Sequence, residues 1–410
     1  MFSGFGGRGH ERAALRHSLR GGMKSFATIE SLRGWMAWWV VVTHALQLLG
    51  AGAGHGPIDL LPRPLLNLAM SGDAGVMVFI IVSGFVITHL LISRRESYPD
   101  YLLRRFLRIA PVYFVCLLIA VLVMDLARLA YAESPLPLHQ SMRIDRFAAE
   151  EAHFTTHLLL HLSLLHSVLP DSWLPYAGSA LLAPAWSLSL EWQFYLIAPV
   201  LIAAAMRSRW TVLALAAGLV VAKAGLHLSV LHWRYEGFFF LAGDLFLIGI
   251  LCRLALERIR AGQSGMGHLL LAAVLMAQTD LKAALIWALF FALTLREAGF
   301  LPSGPRWVAA AHRMLALNPV TGALGRWSYS TYLIHIPLFS LLVGPYVAQV
   351  GAAGVSQMAV AGILLAGMPL LVAVSALLYR FVELPPIRLG KWLIAARGRR
   401  APAAGVVPAE

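Results

Sequence analysis

Apolar runs long enough to cross a membrane, or nearly so, recur ten times along this chain, around residues 33–50, 74–92, 109–131, 186–206, 209–231, 236–255, 267–280, 281–298, 325–349 and 358–382. A hydrocarbon core of about 30 Å is crossed by about 20 residues of helix. Backbone amides in lipid must be bonded within the segment, which leaves the helix as the form for isolated runs of this kind. The chain is therefore predicted to be an all-α integral membrane protein of about ten transmembrane helices. Composition agrees: 59% of its 410 residues are hydrophobic and only 13% charged, with a mean hydropathy of +0.72. That profile lies far from a soluble globular domain.

The distribution of Lys and Arg predicts orientation. Basic residues mark loops retained in the cytoplasm. The N-terminal segment holds Arg8, Arg12, Arg16, Arg20 and Lys24, whereas the first loop has only Arg63. The second loop region carries Arg94, Arg95, Arg104, Arg105 and Arg108, the fourth Arg207 and Arg209, the sixth Arg253, Arg258 and Arg260, and the eighth Arg306 and Arg313. The long third loop, residues 132–185, has only Arg143 and Arg146. Both termini are thus expected in the cytoplasm. The net charge of +13 is explained by this alternation, so the expected partner is membrane lipid and not nucleic acid. Basic inner loops and no organelle signal point to a bacterial inner membrane.

Residues 1–24 read as a disordered basic extension without the apolar core of a signal peptide, and Met23 offers a second start. Residues 25–392 form the expected transmembrane domain, and 393–410 a disordered cytoplasmic tail. Cys116 and Cys252 fall in apolar runs, which argues against a disulfide framework or a thiolate metal site. His153, His157 and His161 follow at four-residue spacing in the third loop. Three imidazoles on one face suit a metal, but no carboxylate completes the pattern. An apolar helix lying in the interface accounts for the stretch, and no metal is expected.

Polar side chains inside spans cost about 2.5–3.5 kcal/mol each on insertion scales and face a cavity or a partner. Arg33 and His44, eleven residues apart, sit about 16 Å apart along a helix and on nearly one face. Ser83 and Gly84 are small enough for a helix or a ligand to approach the backbone. Arg104 and Arg108 share a face with Arg105 beside them, as positive-inside anchors or as a phosphate clamp. Ser187, Glu191 and Tyr195 recur every four residues, a buried carboxylate with a hydroxyl and a phenol. Ser328 and His335 share a face with Tyr332 nearby, and Glu383, close to Arg380, reads first as structural.

Taken in order, these segments resemble the acyltransferase-3 family. The spacing of Arg33 and His44, the GVxxFFxxSGFxI pattern at Gly75, Val76, Phe79, Ser83, Gly84, Phe85 and Ile87, and RRxxRIxPxY at Arg104, Arg105, Arg108, Ile109, Pro111 and Tyr113 all match it. So do WSLxxExxFY at Trp186, Ser187, Leu188, Glu191, Phe194 and Tyr195, SYSxYLxHxP around Ser328, Tyr332, His335 and Pro337, and the closing E-x-P at Glu383 and Pro385. Met77 stands where the family often has an acidic residue.

The resemblance implies an integral membrane O-acyltransferase that moves an acyl group, most often acetyl, from acyl-coenzyme A to a hydroxyl of an extracytoplasmic glycan or lipid-linked saccharide. The acyl-CoA is a co-substrate, and no permanently bound cofactor is expected. His44, Arg33 and Glu191 are then the expected catalytic set, with His44 as general base and Glu191 orienting an imidazole or binding sugar hydroxyls. Arg104, Arg105, Arg108 and Ser83 are expected at the donor, and Ser187, Tyr195, Tyr332 and His335 in the acceptor cavity. Arg33 contacts the donor or stabilises the oxyanion, and transfer is direct or passes through an acyl-histidine. A glycolipid transporter or flippase is the rival from another class. The absence of repeated halves disfavours it. A purely structural subunit is disfavoured by polar stripes in three separate spans.

Overall fold

The computed structural model describes residues 26–400 except His55, Arg95 and Ser303, with no strand among them. The expected extension 1–24 and the tail beyond residue 400 lie outside the described residues. Ten helices answer to the ten apolar runs. They are α1 (Ala27–Leu48), α2 (Gly72–Ser93), α3 (Tyr98–Leu122), α4 (Trp186–Arg207), α5 (Arg209–His227), α6 (Phe239–Arg260), α7 (Met266–Met276), α8 (Leu281–Glu297), α9 (Pro319–Val350) and α10 (Gln357–Leu378). Among the described residues seven helical segments, containing α2 to α6, α9 and α10, are long and apolar enough to cross a membrane. Helix α1, diluted by Glu30, Arg33 and His44, is not among the seven, nor are α7 with 11 residues and α8 with 17.

Backbone-to-backbone contacts set the helix positions. A Cβ on Gly84 of α2 would lie 2.1 Å from the Phe246 carbonyl oxygen of α6, and one on Gly249 would lie 2.0 Å from that of Ile81. Helices α1 and α9 meet the same way: a Cβ on Gly34 would stand 2.8 Å from Gly325 N. Without a hydrophobic drive between helices in lipid, such small-residue contacts supply the packing. Near that crossing Ser31 Oγ of α1 donates to Thr321 Oγ1 of α9 at 3.2 Å and to the Ala316 carbonyl just before α9 at 2.6 Å.

Successive helices join opposite ends of the bundle. At one end the start of α1 meets the last turn of α8, where Ala27 N donates to Glu297 at 2.9 Å. At the other, Gln357 Nε2 donates to Leu49 O at 3.1 Å and Leu138 N to Gln47 O at 2.9 Å.

Three sequence expectations need correction. Helix α3 begins at Tyr98, eleven residues before the apolar run, because Ser97 caps it by accepting from Asp100 N and Pro99 suits its first turn. Arg104, Arg105 and Arg108 therefore lie within the helix and not in a loop. Its far end stops at Leu122, and a short helix (Met124–Arg128) and a π turn (Leu129–Glu133) complete the run. The last helix, Leu384–Arg400, continues past residue 393. Gly390 lies against Leu107, and Arg397 pairs with Asp100 at 3.1 Å, holding the helix on the start of α3.

The third loop folds into two helices, Gln140–Ala152 and Phe154–Leu162. The second has the orientation opposite to a simple interfacial helix: Leu159 and Leu162 face outward, while His157 and His161 are fully buried. Tyr113 of α3 holds it, its hydroxyl 2.8 Å from His161 Nδ1 and 3.0 Å from the His161 carbonyl oxygen.

Candidate functional site

A cavity of about 130 Å³ lies among α1, α2, α3, α4, α6 and α9. Arg33, Ser83, Arg105, Arg108, Ser187, Glu191, Tyr195 and Tyr332 all line it. Motifs scattered over some 300 residues thus meet in one place. The Gly84 contact draws α2 in so that Ser83 Oγ donates to Glu191 Oε1 at 2.5 Å. One turn along α4 from Glu191, the Tyr195 hydroxyl donates to the same oxygen at 2.5 Å. Glu191 is therefore held by a hydroxyl and a phenol, and among the described residues no imidazole is hydrogen-bonded to it.

The three arginines of α3 have different surroundings. Arg104 turns away from the cavity and pairs with Glu96 at 2.7 Å. Arg108 faces the cavity but its charge is matched by Glu383, which also accepts from Ser330 Oγ at 3.0 Å. Arg105 lies 5.8 Å from the centroid of the Tyr195 ring, and no carboxylate among the described residues is within ion-pair distance of it. Of the expected clamp, Arg105 is the cation left for an anionic ligand, with Arg33 across the cavity. Glu383 finds its cation on α3 and not in neighbouring Arg380.

A second polar layer lies further along α1 and α9. His44 Nδ1 is 2.9 Å from His335 Nε2, the rings stacked at 5.0 Å between centroids. His335 is fully buried, and its Nδ1 is 3.3 Å from the Thr331 carbonyl oxygen. His44 is half-buried. Tyr332 links the layers: it lines the cavity, its hydroxyl lies 2.9 Å from Ser187 Oγ and 3.0 Å from the Pro184 carbonyl oxygen, and its ring is 6.2 Å from that of His335.

The expected residues are thus distributed as two connected groups. Ser187, Tyr195 and Tyr332 share the cavity with Arg33, Ser83 and Glu191, while His335 sits beside His44 instead of lining the cavity. Pairwise partners escaped sequence reasoning: His335 for His44, and Glu383 for Arg108. Arg143 did too. It comes from the third loop, its guanidinium 4.9 Å over the Tyr131 ring and its Nε donating to Leu138 O at 2.9 Å, while Leu138 N donates to Gln47 O, three residues past His44 on α1. Nothing in the local sequence signals that approach, which depends on how the loop closes over α1.

The loop histidines pack as a separate cluster beyond α3. His161 and His166 stack at 3.8 Å between centroids, and both ring nitrogens of His157 are buried without a hydrogen-bond partner among the described residues. Burial holds His161 well below the ordinary histidine range and pushes His157 down to about 4 and His166 to about 3. They are neutral at physiological pH. Among the described residues no three of His, Cys, Asp or Glu are arranged to hold a metal.

A family model described as an acyltransferase domain matches residues 26–380. No curated protein and no solved structure matches the chain.

Proposed function

This chain belongs to the acyltransferase-3 family, and on that premise we propose that it is a membrane O-acyltransferase that moves an acetyl group from acetyl-coenzyme A to a hydroxyl of an extracytoplasmic glycan or lipid-linked saccharide. The observation that carries this reading is the pair formed by His44 and His335. A backbone carbonyl only accepts, so His335 Nδ1 carries its hydrogen toward Thr331 O. Its Nε2 is then a lone pair that accepts from His44 Nδ1, which leaves His44 Nε2 unprotonated. That is the tautomer a general base needs.

In the proposed reaction His44 Nε2 takes the proton of the acceptor hydroxyl as its oxygen bonds to the thioester carbonyl carbon. The tetrahedral oxyanion collapses, the carbon–sulfur bond breaks, and the imidazolium returns the proton to the coenzyme A thiolate. Thioester and alcohol become ester and thiol, with no other reactant consumed.

Helix geometry favours one of the two expected roles of Arg33. It lies about 16 Å along α1 from His44, and side chains on a helix lean toward its N-terminus. Arg33 therefore belongs with Arg105 on the donor and not at the oxyanion. The donor's phosphates enter at the end of the bundle where α1 begins, and its pantetheine arm runs past Arg33 and Tyr332 toward His44. Glu191, fixed by Ser83 and Tyr195, balances charge in that channel.

This direction of entry puts the basic end of the bundle in the cytoplasm and counts α1, α7 and α8 as spans, making ten with both termini inside. The strong Lys and Arg bias of that end supports the orientation, and a bacterial inner membrane is the setting it fits.

The test is acetyl-labelled acetyl-coenzyme A added to the detergent-purified protein with total membrane glycans. Label entering an alkali-labile glycan ester, with release of free coenzyme A, is expected. Folded protein that transfers no label from acetyl-coenzyme A or longer acyl donors would favour a transporter, which has no use for a thioester.

A further inference from the structure

A second cavity, of about 590 Å³, opens where α4 passes into α5 and α6 into α7. It shares no lining residue with the cavity around Glu191. Arg207, the last residue of α4, Arg209, the first of α5, and Arg258 in the last turn of α6 all line it. Its one carboxylate, Glu257, is already 2.7 Å from Arg253. Among the described residues no other carboxylate is within ion-pair distance of the three arginines.

Like charges gathered around one concavity repel, and their field attracts a counter-anion. A bias of basic residues toward one side of the membrane explains which end they occupy but not their convergence on one cavity. Two of the guanidinium groups are also positioned: Arg258 Nε donates to Ser264 O at 2.9 Å, and Arg209 lies 5.1 Å over the Trp210 ring. Arginine's planar fork suits phosphate oxygens.

The rim identifies the source of that phosphate. A turn between two membrane helices sits at the headgroup level, and Trp210, 67% exposed, is the kind of residue that anchors there. Met206 lines the cavity and is itself exposed, and Leu213, a turn further along α5, continues an outward apolar surface. We propose that this cavity binds the head group of an anionic phospholipid, its phosphate among Arg207, Arg209 and Arg258 and an acyl chain lying past Met206 and Leu213. Basic pockets between membrane helices take such head groups.

Lipid retention by native mass spectrometry and the thermal unfolding midpoint in neutral detergent test this, with phosphatidylglycerol, phosphatidylcholine and inorganic phosphate as separate probes. Phosphatidylglycerol is expected to stay bound and to raise the midpoint, with phosphatidylcholine and phosphate doing neither. Each arginine near the surface contributes about 1 kcal/mol toward an anionic lipid, about fivefold in affinity. Arg209→Gln should weaken binding about fivefold, and the triple Gln variant at positions 207, 209 and 258 by about a hundredfold. The single variant keeps the test available if the triple one does not fold. Arg306→Gln with Arg313→Gln, elsewhere at the same end, should bind as wild type. Equal effects of phosphatidylcholine would overturn the proposal, as would inorganic phosphate matching phosphatidylglycerol, or unchanged lipid affinity in Arg209→Gln.

Discussion

Arg108 and Glu383 stand 275 residues apart in the chain and form an ion pair inside the bundle, with the Glu383 side chain fully buried. The pair ties α3 to the turn after α10, and it neutralises a cation expected at the donor. Removing one partner of a buried pair leaves the other charged and unmatched, at a cost of about 3–5 kcal/mol. Glu383→Ala should lower stability in detergent by an amount of that order, read as a fall in the thermal midpoint. Glu383→Gln, which keeps an acceptor for Ser330, should lose less. Equal stability of Glu383→Ala and wild type would show that the pair contributes nothing to the fold.

Arg104 and Arg105 are adjacent in sequence but not in surroundings. Arg105 faces the cavity with no carboxylate partner among the described residues, whereas Arg104 pairs with Glu96 outside it. A charge-assisted contact to phosphate contributes about 1.5–3 kcal/mol, so Arg105→Gln should raise the KM for acetyl-coenzyme A roughly tenfold to a hundredfold. Arg104→Gln should change it little. Steady-state kinetics in detergent checks both, and equal effects would return the two residues to a common clamp.

Much of this arrangement was legible in the sequence, for a definite reason. Polar residues such as Glu191 and Arg33 cannot face lipid, so spacing alone gave their faces, and the helix period put Ser187 and Tyr195 with them. Partner choice was hidden, because it depends on helix crossings. His44 meets His335, and not Glu191, because Gly34 and Gly325 bring α1 against α9 in register. Helix ends were hidden too: five arginines looked like a loop, yet Ser97 starts α3 early enough to enclose three of them. The third loop gave the least away. Its histidines suggested either a metal site or an interfacial helix, and their burial against Tyr113 follows only from the folded loop.

Gly84 and Gly249 lock α2 to α6 and so hold Ser83 beside Glu191. A methyl at Gly84 would meet the Phe246 carbonyl oxygen at 2.1 Å. Overpacking of this kind costs about 1–3 kcal/mol, and the shift should also break the Ser83–Glu191 contact. Gly84→Ala is expected to lower both the thermal midpoint and transfer. Gly218→Ala, where nothing lies within 4 Å, should be neutral. Similar behaviour of the two variants would contradict the contact.

The buried loop histidines predict acid sensitivity. Their folded pKa values lie below the ordinary 6.5, at about 4 for His157 and about 3 for His166. The unfolded chain thus binds protons below pH 6.5 that the folded loop refuses. Their contribution is fully present above pH 6.5 and is lost progressively as pH falls toward the folded values. Hydrogen exchange across residues 154–168 should rise between pH 6.5 and 4 after correction for intrinsic rates. A protection factor independent of pH would show that these histidines are not buried neutral.

His335 is predicted to act through His44. His335→Ala frees His44 Nδ1 from its acceptor and should reduce kcat by about tenfold to a hundredfold while leaving the KM for acetyl-coenzyme A close to wild type. A pH–rate profile shifted in this variant would separate positioning from a purely structural loss. An unchanged kcat would remove His335 from the account.

The most direct measurement is transfer of labelled acetyl from acetyl-coenzyme A to membrane glycans by wild type and His44→Ala, with folding and donor binding verified in both. General-base catalysis contributes about 10²–10⁴-fold. Loss of glycan ester formation by a factor in that range, at unchanged donor affinity, is the predicted result. Equal transfer by the two proteins would contradict the assignment of His44 as the base.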